Sequence, residues 1–368
     1  MGAFLPVEAL PGLQKYRYAS EDRSLLSYYL LKPTYTRLVE FLPRWLAPNM
    51  VTLLGLLFSV DSFLRALKYG LKNTEIPQWV YMTHAVELIL YQTLDALDGQ
   101  QARRTGSSSP LGELFDHCVD AINTSLQAYV VASVFQLSPV QLIIMEVSST
   151  ANFFVSTWEE YHTQKLFLSV FSGPVEGIIV IAILEIVTGL YGPHIWSVKW
   201  GEYSFQEVSL LLAGLGLLFN IASAVANVKK VTKQFSNALL GLLPFVVFWI
   251  GFGSWLSVSW VSLDISDFIL LFLTIAFTFA LLVGRVITAH VTNQTYPMWT
   301  PLHCLPFVGT IGHLFLSSYG RSQLLAVLCG MAFGVYATFV AEIISEITTY
   351  LDIGCLYIKN KDLKSKSD

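Results

Sequence analysis

The chain alternates between long apolar stretches and short polar connections over most of its length. A helix needs roughly 20 apolar residues to cross a hydrocarbon core about 30 Å thick, and ten of the stretches approach this length. Each therefore predicts a transmembrane α-helix. The predicted spans are residues 47–67, 79–98, 112–135, 138–157, 174–191, 208–228, 238–258, 267–289, 302–318 and 323–346.

Composition also favours a location in lipid. Hydrophobic residues make up 54% of the chain and charged residues only 13%, and the mean hydropathy is +0.56. This leaves too little polar surface to coat a soluble globule. We therefore predict an all-α polytopic membrane protein with about ten transmembrane helices. The first residues lack the basic start and short apolar core of a secretory signal, so we expect no cleaved leader.

The polar segment before the first span mixes aromatic and aliphatic positions with single charges. Over residues 20–45 this pattern predicts an amphipathic helix that lies on the cytosolic interface, and Pro43 and Pro48 interrupt the chain before the first span. No internal repeat is evident. We expect a cytosolic or interfacial segment at 1–46, one membrane catalytic domain at 47–346 and a charged cytosolic tail at 347–368.

The distribution of basic residues predicts the orientation. With ten spans, 17 of the 22 lysines and arginines fall on the side that holds both termini, and such a bias marks the cytosolic side. The formal net charge of −4 indicates no particular partner, and we expect no nucleic acid to bind. The four cysteines are scattered without the spacing of a zinc or redox motif, so we expect them to pack in the protein.

Four aspartates gather around one polar connection, in the stretch YQTLDALDGQQARRTGSSSPLGELFDHCVDAINT. Asp95 and Asp98 are three residues apart at the end of the second predicted span, and Asp116 and Asp120 are four apart at the start of the third. Each pair shares one face of its helix. Two antiparallel neighbouring helices would bring all four carboxylates together just below the cytosolic membrane surface.

Unpaired acids at this depth are unfavourable, at up to about 3 kcal/mol each, and therefore require counter-charge. Oxygen-only ligands favour Mg²⁺, Mn²⁺ or Ca²⁺ over zinc, and four carboxylates have room for two ions that bridge phosphates. Arg103 and Arg104 lie beside the small Gly99 and Ala102, which suits close approach of a phosphate. Interfacial salt bridges to these arginines and an ion or proton transporter are the alternatives.

The same residues resemble the signature of the CDP-alcohol phosphotransferase family. Within that family the chain is most similar to the eukaryotic choline and ethanolamine phosphotransferases, through segments such as YRYASEDRSLLSYYLLKP, LAPNMVTLLG, STWEEYHT and SGPVEGI. The resemblance implies a homodimeric ten-helix enzyme of the endoplasmic reticulum or Golgi. Its substrates would be CDP-choline or CDP-ethanolamine and diacylglycerol, and its cofactor would be two ions of Mg²⁺ or Mn²⁺. The matching positions are Asp95, Asp98, Gly99, Ala102, Arg103, Gly112, Asp116 and Asp120.

The resemblance also implies roles for single residues. Asp95, Asp98 and Asp116 correspond to metal ligands, and Asp120 to a ligand or the general base. Two other candidate bases are His162 in WEEYHT and Glu176 in SGPVEGI, for which an ordinary interfacial role is the alternative. Asn49 matches a position near the nucleotide, although a helix N-cap would also explain it. Gly99, Ala102, Arg103 and Gly112 complete the expected substrate-binding set. We favour choline over ethanolamine because Tyr91, Trp158 and Tyr161 offer aromatic faces for a quaternary ammonium. An ethanolamine-preferring or a dual-specificity enzyme is the alternative.

Overall fold

The computed structural model describes residues 2–22, 24, 26–70, 76–168, 174–260 and 262–359. These residues form a helical protein, as predicted, with four strands of two or three residues each. The α-helices are α1 (Lys32–Leu38), α2 (Pro48–Tyr69), α3 (Gln78–Thr105), α4 (Pro110–Val134), α5 (Pro139–Thr163), α6 (Pro174–Tyr191), α7 (Phe205–Val231), α8 (Phe235–Leu240), α9 (Leu243–Ser259), α10 (Ile265–Val291), α11 (Leu305–Phe315) and α12 (Ser318–Leu351).

Local sequence signals explain where many helices begin. Proline occupies the first position of α2, α4 and α5, where its missing N–H leaves no hydrogen bond unmade. The side chain of Ser109 caps α4, and Ser138 forms a capping box with Gln141 at the start of α5. At the end of α3 the backbone turns at Gly106, whose φ of 65° is left-handed and favours glycine.

Five of the described helices are long and apolar enough to cross a membrane, which supports a membrane protein. Each predicted span overlaps a helix, but α11 has only 11 residues, and at 1.5 Å per residue it covers about 16 Å of a core about 30 Å thick. The count of ten spans therefore stays a prediction. The five helices, with α8 and α9 taken as one segment, are Pro48–Tyr69, Phe205–Val231, Phe235–Ser259, Ile265–Val291 and Ser318–Leu351.

The core forms around α10, the most buried of these five helices. Helix α10 packs against α4, α5 and α12, while α2 and α3 pack together, with α6 against α3 and α2 against α4. Helices α2, α5 and α10 therefore pack around α4, whose first half carries Asp116 and Asp120. This arrangement holds α4 in a fixed position between the two groups of helices.

The segment before α2 differs from the single amphipathic helix that was predicted over residues 20–45. Residues 20–22 form the strand β1 (Ser20–Asp22), which pairs in parallel with β2 (Leu166–Leu168) after α5. Helical structure starts later, with a π-helical turn at Ser27–Leu31 that leads into α1. The position of the segment 20–45 at the membrane interface stays a prediction.

Candidate active site

The end of α3 and the start of α4 carry the four aspartates. The two helices are joined by a connection of four residues, 106–109, so that their ends lie side by side. Asp95, Asp116 and Asp120 each offer a carboxylate oxygen, and these oxygens all lie within 4.8 Å of one another. Asp98 lines the same cavity. The structure thus brings together the two acidic pairs that the sequence places on neighbouring helices.

Neighbouring hydroxyl groups hold two of these carboxylates in place. Thr52 on α2 donates a hydrogen bond to Asp98, and the hydroxyl of Tyr91 on α3 donates to Asp120. The Oδ1 atom of Asp116 is buried and has no hydrogen-bond partner within the described chain. Buried polar atoms are rarely left without a partner, so this oxygen indicates that a ligand belongs here.

The donor set fits a hard divalent cation. It consists of carboxylate oxygens, the ligands that Mg²⁺ and Mn²⁺ prefer. Among the residues that the structure describes, no lysine or arginine forms an ion pair with the four aspartates. Several partly buried carboxylates without counter-charge repel one another. A bound cation would remove this repulsion and would give the Oδ1 atom of Asp116 a partner.

The four carboxylates line a cavity of about 1730 Å³. All five predicted substrate-binding residues line it. A Cβ atom added to Gly99 or Gly112 would come no closer than 3.6 Å to another protein atom, so the space that these two glycines leave belongs to the cavity. The lining residues of this set are Asn49, Gly99, Ala102, Arg103 and Gly112.

Asn49 is not the N-cap of the first spanning helix. Helix α2 begins at Pro48, and its N-cap is Ala47, so that Asn49 already lies in the first turn. Its side-chain amide is 3.6 Å from the sulfur of Cys355. Because the helix begins at Pro48, two residues earlier than an N-cap at Asn49 would place it, the amide of Asn49 has no capping role, and Asn49 lines the cavity.

Among the described residues, neither of the two further candidate bases lines the cavity that holds the four aspartates. The ring of His162 stacks on Tyr296 at a centroid distance of 5.9 Å, and His162 does not line the cavity. Glu176 accepts a hydrogen bond from Ser24, and the cavity lining begins at the next residue, Gly177. Among the described residues, therefore, only Asp120 of the three candidates lines the cavity.

Two of the three aromatic residues weighed for binding an ammonium group point elsewhere. Trp158 is fully buried and donates its indole N–H to the carbonyl of Ala238. Tyr161 donates to the carbonyl of Gln294, and neither residue lines the cavity. Of the three, only Tyr91 lines the cavity, and its hydroxyl donates a hydrogen bond to Asp120. Other aromatic side chains line the cavity instead, among them Tyr16, Tyr18, Tyr35, Phe153 and Tyr357.

A second polar cluster next to the aspartates was missed by the sequence analysis. Glu113, Glu160 and His290 offer ligand atoms within 4.8 Å of one another. His117 joins them, with Nε2 at 3.1 Å from Oε2 of Glu160 and Nδ1 at 3.0 Å from the carbonyl oxygen of Glu113. Glu113, His117 and Asp120 are spaced four and three residues apart on α4, and this shared face was the available signal.

Residues from both ends of the described chain also reach the cavity. Tyr16 and Tyr18 approach it before α2, and Cys355 and Tyr357 approach it after α12. Partial burial raises the pKa of the Tyr18 hydroxyl, and the carboxylates of Glu160 and Asp116 act in the same direction. The hydroxyl therefore stays protonated at neutral pH and can donate a hydrogen bond. No pattern in the sequence places these residues at the site.

Comparison with known proteins gives a consistent result. The sequence model of the family described as CDP-alcohol phosphatidyltransferase matches residues 45–279. The chain is 38% identical to cholinephosphotransferase 1 of Saccharomyces cerevisiae, over 98% of this chain and 99% of that protein. It is 37% identical to choline/ethanolaminephosphotransferase 1 of the same yeast, over 99% of this chain and 100% of that protein. It is 33% identical to choline/ethanolaminephosphotransferase 1 of Arabidopsis thaliana, over 98% of this chain and 99% of that protein. The chain therefore belongs to the CDP-alcohol phosphatidyltransferase family.

Proposed function

We propose that this enzyme transfers phosphocholine or phosphoethanolamine from its CDP ester to diacylglycerol, and forms the glycerophospholipid and CMP. The carboxylate cluster in a large cavity is the observation that carries the proposal. The relatives match nearly the whole chain, and their names indicate the substrate class. An ion-coupled transporter has no comparable support, because the carboxylates gather between two helix ends instead of along a path through the protein.

The donor would bind with its pyrophosphate at the aspartates. Asp95, Asp98 and Asp116 would hold Mg²⁺ or Mn²⁺, proposed as two ions with Asp120 as a further ligand. When bound, the ions neutralise the charge of the pyrophosphate and of the departing CMP. Arg103 would contact a phosphate oxygen, while the small residues Gly99, Ala102 and Gly112 leave room for it. The amide of Asn49 would bind the nucleotide.

The acceptor would approach from the apolar side of the same cavity. Ile178 and Ile181 on α6 and Phe219 on α7 line this side, and they suit acyl chains. We assign Asp120 as the base that takes the proton from the acceptor hydroxyl. It is one helical turn, about 6 Å, further from the start of α4 than Asp116, and therefore nearer to the acyl chains.

An assay of the purified protein with both donors tests the function. We expect radiolabelled phospholipid and CMP in equal amounts from CDP-choline and diacylglycerol, and a lower kcat/KM with CDP-ethanolamine. Preference for choline rests on aromatic faces around the cavity, each worth about 0.5–2 kcal/mol to a quaternary ammonium. Absence of product with either donor would overturn the proposed function, and a preference for CDP-ethanolamine would overturn only the order of the donors.

Removal of divalent cations should abolish transfer. In excess EDTA the carboxylates of the cluster would repel the phosphates of the donor, so we expect activity to fall below detection and to return with Mg²⁺ or Mn²⁺. Ca²⁺ should restore it poorly because it is larger and less strict in geometry. Initial rates across a metal titration measure this. Full turnover in excess EDTA would rule out a metal site.

We propose that the site and both termini face the cytosol of the endoplasmic reticulum or Golgi, and that the enzyme is a homodimer. Orientation can be tested with single cysteines at Ser108, in the connection between α3 and α4, and at Ser365, which lies outside the described residues. The background should lack Cys118, Cys304, Cys329 and Cys355. We expect an impermeant thiol reagent to label both positions from the cytosolic face alone. Labelling of either from the lumen would contradict the orientation or the count of ten spans.

A further inference from the structure

The first described residues pack against the last spanning helix by an unusual contact. The carboxylate of Glu342 on α12 accepts hydrogen bonds from three successive backbone N–H groups, those of Ala3 at 2.9 Å, Phe4 at 2.6 Å and Leu5 at 3.0 Å. Hydrogen bonds to a charged acceptor are about twice as strong as neutral ones. A single side chain thus anchors this part of the backbone.

From this anchor, residues 2–22, which we call the N-terminal strap, follow a fixed course. The side chains of Leu5, Leu10 and Leu13 are buried in the core that α10 and α12 form. Gly12 lies directly on the end of α10, because a Cβ atom added there would be 2.0 Å from the carbonyl oxygen of Thr292. No other residue type fits this approach without displacing the strap.

The strap then continues along the cavity towards β2. The ring of Tyr16 meets His290 at a centroid distance of 5.8 Å. Beyond it, β1 pairs with β2 after α5, and Glu21 forms an ion pair with Lys165. The strap is therefore held at both ends, by Glu342 on one side and by β2 on the other. Between these points Tyr16, Arg17 and Tyr18 line the cavity.

Tyr16, Arg17 and Tyr18 form a wall of the cavity, and this wall carries polar groups. The strap contacts α10 through the rings of Tyr16 and His290, and it contacts β2 through the pairing of β1. Arg17 donates to the carbonyl oxygens of Tyr16 at 2.8 Å and Gln14 at 3.4 Å, which leaves its charge without a carboxylate partner among these contacts. A cation and two tyrosines suit a polar, phosphate-bearing ligand better than acyl chains.

We propose that the N-terminal strap forms one wall of the CDP-alcohol site, and that Glu342 is the positioning residue that holds it there. The proposal rests on the function proposed above, and adds to it a part of the donor site outside the matched family region of residues 45–279. Glu342 touches neither substrate in this arrangement. It acts through the backbone of residues 3–5, which fixes where Tyr16 and Tyr18 stand.

Two independent variants test this in the purified full-length chain. Glu342→Gln removes the charge that binds the three N–H groups, and Gly12→Ala forces the strap away from Thr292. Matched controls are Glu346→Gln, one turn along α12, and Gly214→Ala on α7, where an added Cβ meets nothing within 4 Å. For both test variants we expect KM for CDP-choline to rise at least ~10-fold, with kcat and the KM for diacylglycerol within about threefold of wild type. The controls should match wild type.

Limited trypsin digestion gives a readout that needs no turnover. Cleavage after Lys15 or Arg17 requires the strap to leave its contacts. We expect the two test variants to be cut at least ~10-fold faster there, and CDP-choline with Mg²⁺ to slow the cutting of the wild type. Unchanged KM for CDP-choline in both variants would overturn the proposal, and so would absence of protection in the wild type. If the wild type shows no transfer activity but is protected by CDP-choline with Mg²⁺, only the proposed function is refuted.

Discussion

Asp116→Ala should reduce kcat by at least ~10³-fold. Asp116 carries the buried oxygen without a partner and belongs to the group of carboxylates within 4.8 Å. Loss of residues that merely orient a metal ligand typically costs 10–100-fold, so loss of a ligand should cost more. Asp95→Ala and Asp98→Ala should behave alike. Initial rates with saturating donor and acceptor measure the effect.

The same substitution should not destabilise the metal-free protein. Removing one of several like-charged, partly buried carboxylates relieves repulsion, so in EDTA the Tm of Asp116→Ala should equal or exceed that of the wild type. Mg²⁺ should raise the Tm of the wild type by binding the folded state, and this increase should shrink or disappear in the variant. A variant that loses activity but keeps the full Mg²⁺ increase would contradict the role of Asp116 as a ligand.

Asp61→Ala is the matched control. Asp61 lies on α2, pairs with Arg65 and does not line the cavity. Its loss should leave kcat and the effect of Mg²⁺ on Tm within about twofold of wild type, because exposed ion pairs contribute little. A decrease in kcat comparable to that of Asp116→Ala would show that the effect does not depend on membership of the carboxylate cluster. Such a result would contradict the assignment of the cluster as the metal site.

The central geometry could be predicted from the sequence because it depends on local spacing. Residues three or four apart share a helix face, and the four-residue connection 106–109 keeps the end of α3 close to the start of α4. Those two facts were enough to bring Asp95, Asp116 and Asp120 together. The room for a substrate beside these helices could also be predicted from the sequence, because Gly99 and Gly112 have no side chains to fill it.

The remaining parts of the site depend on contacts between distant segments. Glu342 meets Ala3 across more than 300 residues, and no periodicity in either segment indicates the other. His290 reaches Glu113 only because α10 packs on α4. The same limit explains His162, whose neighbours in WEEYHT look catalytic but whose ring faces Tyr296. Sequence pattern determines which face of a helix a residue occupies, while packing determines what that face meets.

Asp120→Asn is the sharpest test of the proton acceptor. Asparagine keeps the shape and an oxygen that can accept the hydrogen bond of Tyr91, but it cannot take a proton. We expect CDP-choline binding within several-fold of wild type and a loss of at least ~10²-fold in kcat, the usual contribution of general base catalysis. Binding is measured by calorimetry and turnover separately by initial rates.

A carboxylate beside cations is a weak base, which is the best physical argument for Glu176 or His162 instead. Against it, phosphoryl transfer passes through a loose transition state in which the acceptor needs little deprotonation early on, so a weak base in the right place suffices. Position therefore decides, and of the three only Asp120 lines the cavity. Glu176→Gln and His162→Ala should each keep at least a third of the wild-type kcat. If either binds CDP-choline normally and is inactive while Asp120→Asn keeps a tenth of the activity, the base lies outside the aspartate cluster.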